Sequence, residues 1–263
     1  MATEYQWITV SAFGLPIPDA NALLDIVREL GDHGVVVTAY RSVDGAPFLT
    51  YTLDALEQDA PAAFRAGRLY FQAKDGVSGT LEFGARPYAT MWTRAGADES
   101  DVELWSAVAR SWAERAPDFL VMGFAPPAVV DERGRSTWRD EYEMQQVLLA
   151  SHCFMPPKDY YPFGPRGIGF RTYFSPRFVE MIGLQRLRST PGSVTELDEG
   201  GMLVDVSEGL LSSGFAELVA AWAACQKHLA TSGVFAPPSV DEDRKRIRFR
   251  TKGPAYVHRS RPG

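Results

Sequence analysis

Carboxylates are the most abundant reactive groups in this chain, and they come in clusters: Asp98, Glu99, Asp101 and Glu103, then Asp140, Glu141 and Glu143, then Glu196, Asp198 and Glu199. A pair such as Asp140 and Glu143 could serve general acid and base work or magnesium binding, and a tyrosine such as Tyr161 could assist in a cleft. No accompanying His, Lys or Asn selects one pair, so most of these charges read as solvated faces or as helix N-terminal acids. Others are available to answer a basic surface. The histidines His33, His152, His228 and His258 are scattered, with no His-x-Glu or His-Glu-x-x-His spacing. Cys153 and Cys225 are far apart and lack Cys-x-x-Cys spacing, which indicates neither a zinc site nor a disulfide framework. No Gly-x-Ser-x-Gly elbow occurs, and Gly76-Val77-Ser78-Gly79 reads as a turn before a strand. The glycines from Gly164 to Gly169 fail as a phosphate loop, because Pro165 removes a donor and the segment leads into a strand. The expectation is a chain with no catalytic residue, no cofactor and no metal.

Recognition is the chemistry that remains. The segment MPPKDYYPFGP is too proline-dense for a helix or a central strand. It reads as a connector or an ordered surface loop, in which Asp159, Tyr160 and Tyr161 beside Arg166 have the composition of interface anchors. The same aromatics could instead cover the core edge between two halves. A second exposed set is Glu196, Asp198 and Glu199, at the hairpin signalled by Gly200-Gly201. These six residues are the candidate partner-binding positions.

The elements that must hold them follow from periodicity. Tyr5 to Phe13 reads as a strand, and a helix follows with Asp19 as N-cap, Leu23, Leu24, Val27 and Leu30 inward, and Gly31 at the left-handed end. Strands are expected over Val35 to Tyr40, Phe48 to Leu53, Arg68 to Ala73, Gly79 to Phe83 and Asp118 to Phe124, with the turn Asp44-Gly45 joining the first two. Ser100 and Glu103 suggest a capping box for a helix carrying Trp105 and Trp112, both expected in the core. Trp138 to Ala150 reads as helical. Ile168 to Phe174 is a strand, Ser175-Pro176 caps a helix running toward Leu187, and Ser193 to Leu197 pairs with Met202 to Val206. Phe215 to Leu229 forms a helix with Trp222 buried, and Ile247 and Phe249 mark a last, basic strand. The expected class is α+β, with mixed or antiparallel sheets and helices packed on one side. The organisation reads as an N-terminal half over 1–150, a connector over 151–167, a C-terminal half over 168–250 and a basic tail over 251–263. Both halves repeat the order strand, helix, strands, helix, strand.

At 263 residues, with 45% hydrophobic and 23% charged residues, the chain is long enough to bury a sizeable core. The net charge of −6 conceals an asymmetry, since residues 241–263 hold eight Lys and Arg against three acids, leaving 19 basic and 30 acidic groups in the rest. An acidic body disfavours nucleic acid and steers toward a basic partner. No apolar run is long enough to span a bilayer and the N-terminus lacks a basic export signal, so membrane association is not expected and the cytoplasm is the expected address.

One layout in the second half adds to this. Gly169-Phe170-Arg171-Thr172-Tyr173, the Pro191-Gly192 turn, Gly200-Gly201-Met202-Leu203-Val204, the Trp222 helix and Gly233-Val234-Phe235 follow an order that resembles immunity protein 52 and related immunity proteins of bacterial polymorphic toxin and type VI secretion loci. The resemblance implies a cytoplasmic antitoxin that binds a cognate secreted toxin, often a nuclease, and blocks it stoichiometrically. The MPPKDYYPFGP segment and the basic tail have no counterpart in that layout.

Overall fold

The computed structural model describes residues 7–94, 99–125, 138, 140–153, 155, 157–207, 214–236, 239–241, 246–248 and 252–257. Among the described residues, ten strands build one sheet: β1 (Trp7–Phe13), β2 (Val37–Arg41), β3 (Leu49–Thr50), β4 (Arg68–Ala73), β5 (Ser78–Glu82), β6 (Tyr88–Arg94), β7 (Phe119–Ala125), β8 (Arg171–Phe174), β9 (Ser193–Glu196) and β10 (Met202–Asp205). They lie in the order β3-β2-β4-β5-β6-β1-β7-β8-β10-β9, and all their pairings are antiparallel. The helices are α1 (Ala20–Asp32), α2 (Leu53–Ala66), α3 (Glu99–Glu114), α4 (Glu141–Cys153), α5 (Pro157–Phe163), α6 (Pro176–Ile182), α7 (Leu184–Arg188) and α8 (Phe215–Ala230). A separate ribbon pairs β11 (Ser239–Asp241) with β12 (Arg246–Arg248). This is the expected α+β class. Because β7 pairs with β8, strands from before and after 151–167 share one sheet.

Local chemistry explains most boundaries. The Asp19 carboxylate accepts from the Ala22 N–H at 2.9 Å and starts α1, but the helix continues through Gly31 and the left-handed turn falls at Gly34 (φ +90°). The helix α2, not anticipated from sequence, opens on Thr52, whose hydroxyl accepts from Ala55 N at 3.1 Å, and closes at left-handed Gly67. The third helix starts at Glu99, so Ser100 lies inside its first turn and not ahead of it. Gly183 (φ +96°) splits the single helix expected after Ser175 into α6 and α7. Pro126, Pro127, Phe249 and most of the basic tail lie outside the described residues.

Helices cover both faces at the sheet's centre, not one. Met122 of β7 lies 3.9 Å from the Ser106 hydroxyl of α3, whereas a Cβ on the next residue, Gly123, would meet Cys153 Sγ of α4 at 1.9 Å. Successive strand residues point to opposite faces, so α3 and α4 sandwich the sheet there. The β1 sequence accommodates this by burying Thr9 and Ser11 as well as Ile8, Val10 and Ala12. The Thr9 hydroxyl donates to Met91 O at 3.1 Å and Ser11 Oγ pairs with Thr90 Oγ1 at 3.0 Å, which satisfies both groups within the sheet. Trp105, Trp112 and Trp222 are core residues as expected, and Trp222 Nε1 donates to Ile168 O at 2.8 Å. On the α3 side, Arg171 grips Asp205 bidentately at 2.6 and 2.9 Å and donates to Ser106 O at 3.2 Å, fixing β8, β10 and α3 together.

Candidate functional site

The hairpin of β9 and β10 presents its acidic residues on a rigid frame. Leu197 N donates to Gly201 O and Gly200 N donates to Leu197 O, both at 2.9 Å. Gly200 takes φ +79°, and a Cβ on Gly201 would lie 2.6 Å from the Tyr173 ring. Turn chemistry and a buried tyrosine therefore hold the tip, leaving Asp198 and Glu199 exposed. Glu196 is also exposed and accepts from Arg188 Nε at 2.7 Å, and the guanidinium lowers its carboxyl below the ordinary value. Among the described residues Asp198 and Glu199 form no ion pair, and both are exposed to solvent.

The other predicted set is not a surface. Pro157–Phe163 folds as helix α5 despite its prolines, with Pro157 at the first position, where no N–H is needed. Tyr160 is 1% exposed and Tyr161 6%. The Tyr160 ring stacks on Phe13 at 4.0 Å and lies 6.0 Å from Phe119, and burial raises its phenol well above the ordinary value. The Tyr161 hydroxyl donates to Pro87 O and accepts from Gly14 N at 3.3 Å. Asp159, half-buried, accepts from Arg166 in an ion pair. The expectation of an exposed Asp159, Tyr160 and Tyr161 is thus corrected: two large rings beside Phe13 and Phe119 bury more apolar surface by closing the sheet's end than by standing in water. Only Pro162 and Phe163 of α5's aromatic run remain exposed, besides Lys158.

The remaining chemical candidates have structural employment. Asp140 Oδ1 accepts from Glu143 N at 2.9 Å as the N-cap of α4. His152 is buried beside Trp222, and burial, aided by the charge of Arg166, pushes its pKa down to about 3, so the ring is neutral at physiological pH. Burial raises the Cys153 thiol far above its ordinary value and Cys225 to about 11, and Cys225 donates to Pro191 O at 2.8 Å. Neither is a ready thiolate. Gly167 and Gly169 serve close approach, since a Cβ would come within 2.6 Å of the His152 ring at the first and 2.1 Å of Met122 O at the second. Among the described residues, no group of three His, Cys, Asp or Glu is arranged to hold a metal ion, and no helix is long and apolar enough to cross a membrane.

The sequence marks Ser175 as a helix cap and does not single out Arg177 or Tyr256. Ser175 stands at the N-cap of α6, yet its hydroxyl makes no capping bond and is buried without a partner. The signal Ser-Pro was read for its helix start alone, and nothing local marks Tyr256 as buried. No protein-family model matches the chain, and no curated protein matches it.

Proposed function

We propose that this chain is a cytoplasmic binding protein of the immunity type, which neutralises a basic cognate toxin, such as a nuclease, by stoichiometric occlusion without catalysis. The observation that carries the reading is the hairpin tip, where Asp198 and Glu199 are exposed on a turn fixed by Gly200, Gly201 and the buried Tyr173. A nuclease cleft is basic because it holds phosphates, so carboxylates on a stiff turn can enter it with little ordering cost and accelerate encounter. The negative balance of the chain acts in the same direction. Co-expression with the toxin encoded beside this gene tests the proposal. Wild type is expected to rescue growth, and Asp198→Lys with Glu199→Lys to weaken rescue while leaving the melting temperature intact. Absence of rescue by the wild type overturns the reading for that toxin, and rescue indifferent to the tip moves the interface elsewhere.

A further inference from the structure

The sheet ends at β9, and the pairing of its neighbours fixes which way that strand's backbone points. Leu197 N donates to Gly201 O at 2.9 Å at the end of the hairpin, and Val206 N donates to Phe170 O at 2.9 Å just past β10 and β8. Antiparallel bonding alternates along a strand, so either bond sets the pattern. Met202 and Val204 direct their N–H and C=O groups to β8, while Leu203 and Asp205 direct theirs to Thr195 and Ser193. The main-chain groups of Val194 and Glu196 therefore face away from β10. Among the described residues nothing pairs with them there, and β9 is a free edge.

Free edges are ordinarily blunted by proline, lysine, a bulge or brevity. The opposite edge follows this rule, since β3 has two residues and comes just after Pro47. The β9 edge does not. Ser193-Val194-Thr195-Glu196 keeps unbroken register with β10, has no proline or lysine, and offers β-branched Val194 and Thr195. Thr195 and Glu196 are exposed. The edge also carries a sign, because Glu196 is followed at the tip by Asp198 and Glu199. Among the described residues only Glu196 of these three has a cation, Arg188 at 2.7 Å, and an exposed pair of that kind is weak enough to exchange.

We propose that β9 takes an added strand: an extended, Lys- or Arg-bearing segment of the partner bonds the outward N–H and C=O groups of Val194 and Glu196 and sets its basic side chains against Glu196, Asp198 and Glu199. This rests on the binding role proposed above and gives it a mode, in which main-chain bonds set the register and the acids select the partner. Amide exchange of Val194 and Glu196, followed by NMR, reads those bonds with two probes, the toxin encoded beside this gene and a synthetic peptide of about eight alternating Lys and Val residues. Both amides are expected to exchange quickly in the free chain, to become protected with the toxin and to shift saturably with the peptide. Glu196→Pro and Glu196→Gln both lose the charge, but only the first loses the outward N–H, and neither touches a bond to β10. Glu196→Pro should therefore bind the peptide about tenfold more weakly than Glu196→Gln. Val194→Pro makes the same cut if Glu196→Pro does not fold. Toxin bound while both amides still exchange overturns the added strand and leaves the binding role standing, whereas peptide captured by a chain that ignores the toxin does the reverse. Amides that respond to neither probe, or that are already protected in a concentration-dependent dimer, with a second copy as the occupant, also overturn it.

Discussion

Helix α5 and the β9–β10 hairpin tip carry the same kind of sequence, acids beside a turn-forming run of Pro or Gly, and the structure uses them in opposite ways. In α5 the carboxylate of Asp159 is matched by Arg166 and both tyrosines are inside. At the tip, glycines supply the turn, Tyr173 lies beneath it, and the acids stay in water. Apolar area separates the two cases. Two tyrosines offer surface worth hiding against Phe13 and Phe119, whereas Asp198 and Glu199 offer only charge, whose burial would be costly.

The comparison can be broken most directly at Tyr160. Tyr160→Ala is expected to cost about 3–5 kcal/mol, read by chemical denaturation, because it removes a ring from a fully packed stack. A loss below about 1 kcal/mol would mean that α5 is a surface element after all. Acid should expose the same burial one helix earlier, at His152. Its folded pKa of about 3 lies below the ordinary 6.5, so the unfolded chain binds the extra proton between those values. Stability contributed by the neutral ring is therefore complete above about pH 6.5 and declines as pH falls, with a slope approaching 1.4 kcal/mol per pH unit. In His152→Gln that part of the slope should vanish, and an unchanged pH profile would show that the ring is solvated. Gly123→Ala is expected to cost about 1–3 kcal/mol by driving a methyl into Cys153, and Cys153→Ala in the same chain should restore part of it. Smallest is the tip: Asp198→Lys and Glu199→Lys should leave the melting temperature unchanged while removing the salt dependence of association with a basic partner. A tip variant that unfolds would erase the contrast between the regions.

How much was legible follows the same division. The strand over Arg68–Ala73, the Asp19 cap, the Gly200-Gly201 hairpin and the buried tryptophans follow from local signals, and the structure has them. Helix α2 escaped because Pro61 interrupts its pattern, and it survives because Thr52 and Gly67 terminate it cleanly. The short α5 escaped for a similar reason, since proline density describes the free chain and tertiary packing on Phe13 overrides it. For the candidate site, the acidic tip was readable because a turn, two glycines and charge are all local. The approach of Arg177 to the Tyr256 ring was not, because it depends on where α6 and residues 252–257 dock, which no spacing encodes.

The position of β1 carries a kinetic consequence. Trp7 pairs across to Arg94 on one side and to Ala125 on the other, so the first described strand is one of the two middle strands of the sheet. On a ribosome, β1 emerges long before either neighbour exists, and its apolar residues wait while more than a hundred others are synthesised. The sheet closes only by a long-range step, inserting the waiting strand between β6 and β7, and such steps bear a large loop entropy and are slow. Refolding should accordingly be limited by the capture of this N-terminal strand, and a chain lacking it would be left with two open strand edges where its centre should be.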